Sequence, residues 1–129
     1  MKTLTLLALT FSLLLTSQSQ AADAPKEGKK LFHVVSIKFK PEATPDQIKA
    51  VETAFAELKT KIPVVLTLSG GTDISPEKRS KGYTHCFVLT FASEKDRDTY
   101  ATHPAHKAFG ALLGPVMADV MVIDFWGNE

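Results

Sequence analysis

Four histidines and one tyrosine are the side chains in this sequence whose types and spacing favour acid–base chemistry. His33 and His85 each lie in an apolar run of alternating residues, while His103 and His106 follow Tyr100 by three and six positions. An imidazole titrates near neutral pH, so it can accept or release a proton without a metal or a nucleotide. A tyrosine hydroxyl can hydrogen-bond an oxygen atom on which negative charge develops. Proton transfer is therefore the chemistry that the fold would have to support.

Two predicted strands carry the first pair of histidines. Residues 31–39 and 83–91 both alternate, which is the pattern of a β-strand. The alternation places His33 on one face of the first strand and His85 on one face of the other. The residues that share those faces are apolar: Val35, Ile37, Phe39, Phe87, Leu89 and Phe91. Both histidines are therefore expected beneath a helical layer.

Two helical regions are predicted to form that layer. Residues 45–61 begin with a capping box, because Thr44 precedes Pro45 and Gln47 follows the cap by three positions. Apolar residues then recur at helical spacing: Ile48, Val51, Phe55, Leu58 and Ile62. The second region opens at an N-cap, Ser93, and runs through about Tyr100; Pro104 breaks it, and a further segment continues to Leu113.

The remaining strands complete a ferredoxin-like order of elements. Residues 64–68 read as a strand closed by Gly70 and Gly71, and residues 120–126 read as the last strand. The predicted fold is therefore α+β, in the order β-α-β-β-α-β, with a four-stranded antiparallel sheet and the second helix broken in two. In this topology the first and third strands are adjacent and central.

The face of the sheet turned away from the helices is expected to be apolar as well. Phe32 and Val34 lie there on the first strand, and Cys86 and Val88 on the third. On the last strand either Met121, Ile123 and Phe125 or Val120, Val122 and Trp126 would join them. A solvated face would alternate to polar residues. Because one helical layer covers one face, the pattern predicts a homodimer in which the two sheets pack together.

The N-terminal residues are typical of a secretory signal peptide. Lys2 precedes an uncharged, leucine-rich run over 4–15, and Ser19 and Ala21 occupy the −3 and −1 positions of a cleavage site. The run is too short to span a bilayer, which argues against a membrane anchor. We therefore expect residues 1–21 to be a signal peptide, 22–30 a flexible lead-in and 31–129 one domain of a periplasmic or secreted protein.

The charge balance and the cysteine content limit the classes of partner and cofactor that the sequence favours. After cleavage the basic and acidic side chains would balance, because Lys2 is the one charged residue in the leader. This balance favours neither nucleic acid nor an anionic membrane as a partner. Cys86 is the single cysteine, so the chain can form no internal disulfide, and its place in an apolar strand predicts a buried, inert thiol. The sequence has no phosphate-binding glycine-rich loop and no cysteine-based metal site, so no cofactor is expected.

Several segments together resemble the stress-responsive A/B-barrel domain family. The similarity spans residues 31–127 and rests on HVVSIKFK at 33–40, GYTH at 82–85, FAS at 91–93, YATHPAH at 100–106 and the closing run 119–125. The His-Pro-Ala-His element in this order of strands is the most specific of these. The resemblance implies a ferredoxin-like protomer whose sheet packs against its twin to form a dimeric α+β barrel.

The resemblance also implies site residues. One plant branch of the family consists of polyketide cyclases, which close a ring by aldol condensation without a cofactor, and their Tyr-x-x-His-Pro-Ala-His segment acts at the active site. The matching positions are Tyr100 and His106, with His106 as general base and Tyr100 as its hydrogen-bonding partner. The strand residues His33 and His85 would line a ligand pocket with His103. The remaining pocket residues would be Phe55, Phe87, Phe91 and Leu112; Phe55 stands where the cyclases have a tyrosine.

Three other interpretations remain open. The favoured one is that the domain binds a small apolar or carbonyl-containing ligand without transforming it, since members of the family occur with no assigned reaction. The cyclase-like or isomerase-like enzyme is its alternative. The histidines can be structural, with His85 and His33 in the core and His103 at a helix break. The spacing of His103 and His106 also permits a shared metal ion, although Pro104 between them distorts helical geometry. Haem-degrading and quinol monooxygenases use the same dimeric barrel, but no residue here favours them.

Overall fold

The computed structural model of this chain describes residues 26–128 and has the predicted ferredoxin-like architecture. Its elements, in chain order, are β1 (Lys30–Phe39), α1 (Pro45–Lys61), β2 (Thr67–Thr72), β3 (His85–Phe91), α2 (Glu94–Thr102), α3 (Pro104–Leu113), a 3-10 turn (Gly114–Val116) and β4 (Met117–Gly127). The four strands form one antiparallel sheet in the order β2-β3-β1-β4. The expected signal peptide, residues 1–21, lies outside the described residues.

Helix α1 begins and ends at the predicted residues. The Gln47 amide donates to Thr44 Oγ1 at 3.3 Å, and the Thr44 amide donates to Gln47 Oε1 at 2.9 Å. This reciprocal capping box satisfies two amides that the first helical turn leaves unpaired. Val51, Phe55 and Leu58 then pack against the sheet, and each is 1% exposed.

The second helical region consists of two helices, each with its own cap, and the expectation of one helix broken in two is not supported. Ser93 caps α2, since Ser93 Oγ accepts from the Asp96 amide at 3.1 Å. His103 stands between the helices in an extended conformation (φ −63°, ψ 140°) because it precedes Pro104, which disfavours a helical backbone. His103 Nδ1 then accepts from the Ala105 amide at 3.1 Å and starts α3.

Strand β2 lies later in the chain than the sequence predicts. Residues 64–68 were expected to form it and Gly70–Gly71 to end it, yet both glycines lie inside the strand. Gly70 is required where it is, because a Cβ atom there would overlap the side chain of Phe87 on the neighbouring strand. The flanking strands differ less: β3 begins at His85 and β4 at Met117.

The register of the strands settles which residues face away from the helices. Val34 lies between Ile123 on β4 and Val88 on β3, and Phe125 lies opposite Phe32. The rings of Phe32 and Phe125 stack with centroids 5.0 Å apart. The outer face of β4 therefore carries Met121, Ile123 and Phe125, which are 42–49% exposed.

Cys86 is exposed, so the prediction of a buried cysteine is wrong for the single chain. It lies opposite Ser36 on that same outer face, which no helix covers. Alternation gave the correct face, and the absence of a covering layer in the protomer accounts for the difference.

Candidate functional site

An apolar cavity of about 280 Å³ lies between β1, β4 and the corner where α2 meets α3. It opens along β4, the edge strand, which extends beyond the helical layer. Val120 and Val122 on the helix side of β4 are consequently 37% and 50% exposed. The walls include Val35, Phe55, Phe109 and Leu113, and three polar side chains reach the cavity: His33, Tyr100 and His106.

The imidazole ring of His106 is held by a backbone carbonyl group of the preceding helix. Its Nδ1 lies 3.1 Å from the carbonyl oxygen of Ala101, which can only accept, so Nδ1 carries the proton. In the neutral ring Nε2 then has a free lone pair. Burial is the main cause that lowers the pKa of His106; the neighbouring His33 lowers it further, and the hydrogen bond to the Ala101 carbonyl acts in the opposite direction. The imidazole is therefore held neutral and able to accept a proton at neutral pH.

Tyr100 contributes a side chain with a hydroxyl group to the wall of the apolar cavity. The residue is 1% exposed, and its ring centroid lies 4.5 Å from that of His106 and 5.6 Å from that of His33. Burial strongly raises the pKa of Tyr100, so the hydroxyl keeps its proton. Within residues 26–128 no group hydrogen-bonds this hydroxyl, and burial is the single cause of its pKa shift.

His33 reaches the cavity from the floor of the sheet and is held by a carboxylate. It lies opposite Asp124 in the β1–β4 register, and its Nδ1 is 2.6 Å from Asp124 Oδ1. Asp124 Oδ2 in turn accepts from Nη1 of Arg97 at 2.9 Å. The sequence interpretation missed both residues. One signal was available, because Asp124 is the single charged residue in the apolar run 120–126.

His85 lies on the same face of the sheet but does not contact this cavity. Its Nε2 is 3.0 Å from Glu52 Oε1 and its Nδ1 is 2.8 Å from Thr84 Oγ1, so both nitrogens are occupied. The hydrogen bond from His85 is the main reason that the pKa of Glu52 is lowered, with Lys49 adding to it. His85 is 5% exposed and holds α1 against the sheet.

The other predicted pocket residues divide between the cavity and its surroundings. Phe55 lines the cavity, whereas Phe87 stacks behind it with ring centroids 3.9 Å apart. Phe91 is fully buried against Tyr100 and does not reach the cavity. His103 is an N-cap, and Leu112 is 41% exposed on the outer side of α3. His85, His103, Phe87, Phe91 and Leu112 therefore do not line this cavity, and a role for them in binding a ligand stays a prediction.

Neither a metal site nor a membrane span is found among residues 26–128. No group of three or more histidine, cysteine, aspartate or glutamate side chains in that range is arranged to hold an ion. His103 and His106 each use Nδ1 on a backbone group, in different directions. No helix in the described range is long and apolar enough to cross a bilayer.

Comparison with known proteins gives a family and two enzymes. The model of the Stress responsive A/B Barrel Domain matches residues 31–127. Olivetolic acid cyclase of Cannabis sativa is 29% identical over 93 residues, which are 72% of this chain and 92% of the cyclase. The hydroxynitrile lyase of Passiflora edulis is 25% identical, with a TM-score of 0.73, over 79% of this chain and 96% of the lyase.

A further solved structure bears on assembly. A dimeric ferredoxin-like protein of unknown function from Thermobifida fusca is 27% identical, with a TM-score of 0.66. The match covers 77% of this chain and 92% of that one. The ferredoxin-like fold is therefore found in a relative that is described as a dimer.

Proposed function

Since this chain belongs to the stress-responsive A/B barrel domain family, we propose that it binds a small, largely apolar carbonyl compound in the cavity beside β4. The observation that carries the proposal is the Tyr100 hydroxyl, which belongs to a residue that lines the apolar cavity and makes no hydrogen bond to the protein among residues 26–128. A carbonyl oxygen would accept its hydrogen bond, and the apolar walls would hold the rest of the ligand. The proposed ligand is uncharged because no lysine or arginine among residues 26–128 lines the cavity.

A second candidate function is cofactor-free acid–base catalysis on such a ligand, as in the cyclase or isomerase type of reaction. The position of His106 favours it, because a neutral ring with a free Nε2 lies beside the hydroxyl that would bind the carbonyl. The resemblance to a cyclase and a lyase supports the same idea.

The proposed step is removal of a proton from the carbon next to the carbonyl group. The carbon–hydrogen bond breaks, its electron pair forms the double bond of an enolate, and the proton moves to His106 Nε2. The Tyr100 hydroxyl donates to the enolate oxygen, where the negative charge collects. Reversal of the step returns a proton from the imidazolium to carbon.

The experiment uses benzylacetone, an uncharged aryl-alkyl ketone, in deuterated water. Binding is followed by chemical-shift changes in the protein, and catalysis by loss of the ketone's α-proton signals. We expect the shifts to map to the cavity, and His106→Gln to slow exchange by about a hundredfold or more. Leu112→Ala is the matched control, since Leu112 lies on α3 outside the cavity.

The two candidates separate in this experiment. Shifts at the cavity without exchange would leave a binding protein, and shifts mapping elsewhere would contradict both. If His106→Gln unfolds the chain, His106 is structural and the catalytic candidate is abandoned.

We propose that the protein forms a homodimer through the outer face of the sheet. The exposed Met121, Ile123 and Phe125 support this, together with the dimeric state described for the relative from Thermobifida fusca. Ile123→Asp would give a monomer in sedimentation at micromolar concentration. Ile74→Asp is the control, because Ile74 is 94% exposed in a loop. A wild-type chain that sediments as a monomer would contradict the proposal.

Export remains a proposal based on residues 1–21 alone. It predicts that protein recovered from the periplasm or the medium begins at Ala22. Mass spectrometry of the recovered chain tests it, and retention of Met1 would refute it.

A further inference from the structure

Four side chains form a continuous hydrogen-bonded series from the surface of α2 to the cavity. Asp98 holds Arg97 through Nε at 3.1 Å and Nη2 at 2.8 Å. Arg97 Nη1 donates to Asp124 Oδ2 at 2.9 Å, and Asp124 Oδ1 is 2.6 Å from His33 Nδ1. This series reaches the cavity at His33.

We propose that Arg97 is a positioning residue: by holding one oxygen of Asp124 it turns the other toward His33 and keeps that imidazole protonated at Nδ1. Nε2 of His33 then faces the cavity as an acceptor. The positioning role of Arg97 does not depend on the proposed function. Only the use of the His33 acceptor, which would contact a bound ligand, rests on that proposed function.

Asp124 needs such a restraint because of its position. It lies on an edge strand, and its side chain is 28% exposed. The terminal torsion of an aspartate is broad, so a partly exposed carboxylate would otherwise rotate and bind water. The guanidinium is itself fixed by two bonds to Asp98, and it is 26% exposed. Partial burial makes these charged contacts stronger than ordinary surface pairs.

The orientation of the carboxylate decides which nitrogen of His33 carries the proton. A carboxylate only accepts, so Oδ1 at 2.6 Å requires a proton on Nδ1. The second nitrogen of a histidine held in this way takes the opposite role. Without Arg97, both tautomers of His33 would be populated.

The groups that face His33 come from every element around it. Asp124 belongs to β4, Tyr100 to α2 and His106 to α3, while β3 presents Leu89 and Phe91. Tyr100 and His106 contribute no fixed charge at neutral pH. The pair of Asp124 and Arg97 therefore sets the electrostatic environment of this ring.

The test observes the tautomer directly, by long-range ¹H–¹⁵N correlation of the histidine side chains in the ¹⁵N-labelled protein at neutral pH. His33→Gln assigns the His33 signals by their loss. We expect a single Nδ1–H pattern in the wild type, and in Arg97→Gln a tautomer ratio that falls by about fivefold. Arg97→Lys, which restores a cationic donor, should recover most of the wild-type ratio.

Arg79→Gln is the matched control, because it removes an arginine that is 87% exposed and pairs with Glu77, outside the series. The signals of His85 and His103 report on folding, since their hydrogen bonds lie elsewhere. An unchanged His33 pattern in Arg97→Gln would overturn the proposal, leaving a simple ion pair between α2 and β4. If Arg97→Gln does not fold, an unchanged pattern in Asp124→Asn overturns it instead.

The measurement requires no ligand, so its result is independent of the proposed function. Loss of the tautomer in Arg97→Gln would stand even if benzylacetone did not bind. Conversely, binding and exchange could be demonstrated while the role of Arg97 failed.

Discussion

The helix-covered face of the sheet contains two histidine–carboxylate pairs, one at each end, and they differ in a single hydrogen bond. His85 pairs with Glu52 on α1, and His33 pairs with Asp124 on β4. The second nitrogen of His85 is occupied by the hydroxyl of Thr84. The second nitrogen of His33 has no protein partner within residues 26–128 and lies at the cavity. A buried pair becomes available for chemistry only where one nitrogen is left open.

Packing explains why the two ends differ. Over His85, α1 closes the sheet, and the ring of Phe39 contacts the imidazole edge-on with centroids 5.0 Å apart. Over His33, the helical layer turns at the α2–α3 corner, and β4 extends beyond it. The closed end stabilises the fold, and the open end leaves a cavity that is lined by the polar side chains of His33, Tyr100 and His106.

The pH dependence of exchange should give the largest effect. Burial lowers the pKa of His106 below the ordinary value of about 6.5, so the folded chain binds this proton less readily than the unfolded chain. The base therefore stays neutral to lower pH, and exchange of benzylacetone should fall about tenfold per pH unit below a midpoint that lies under 6.5. Initial exchange rates across the acid range measure it; a midpoint above that of free imidazole would assign the base elsewhere.

The lowered pKa of His106 also determines how the stability of the fold changes with pH. A histidine whose pKa is lowered on folding contributes its full stability above about pH 6.5, and this contribution is lost as the pH falls through the lower folded value. Urea unfolding at several pH values should therefore show less loss on acidification in His106→Gln than in the wild type.

The same replacement at the two strand histidines should have opposite consequences. His33→Leu removes a polar atom from the cavity and should slow exchange by about tenfold, the effect of one hydrogen bond of about 1.4 kcal/mol. His85→Leu removes two internal bonds and should lower the free energy of unfolding by about 1–2 kcal/mol without changing exchange. Exchange rates and urea unfolding are measured on both variants. The comparison between the two histidines would be wrong if His85→Leu slowed exchange as much as His33→Leu, or if His33→Leu cost as much stability as His85→Leu.

The smallest expected effect is at the third kind of histidine, the N-cap of α3. His103→Ala removes the acceptor for the Ala105 amide and should cost about 1 kcal/mol, whereas His103→Asn should retain most of the stability. Thermal unfolding of the two variants measures the difference. Unchanged stability in His103→Ala would show that the cap contributes nothing to α3.

Periodic and local signals were readable from the sequence, and contacts between distant residues were not. Thr44, Pro45 and Gln47 fixed the start of α1, because a capping box involves neighbours in the chain. Strand β2 was misplaced because Gly70 is dictated by the ring of Phe87, which no local pattern reveals.

The site shows the same division. The sequence singled out His33, Tyr100, His106 and Phe55, which the structure brings to one cavity. It did not reveal the links to Asp124 and Arg97, because His33 and Asp124 are 91 positions apart and Arg97 and Asp124 are 27 apart. Faces of strands could be assigned by alternation, but the contacts at the open edge depend on the register of β4.

The β1–β4 register has a mechanical consequence. Lys30 at the start of β1 pairs with Gly127 at the end of β4, and Lys26 Nζ lies 5.3 Å from the centre of the Trp126 ring. Tension applied through these two chain ends would act across the ladder at its open end. Because both points of force lie at the same end of two antiparallel strands, the load is perpendicular to the strands, and the hydrogen bonds would separate one pair at a time. A protein pulled from its ends should therefore open first at the strand that forms one wall of its own cavity.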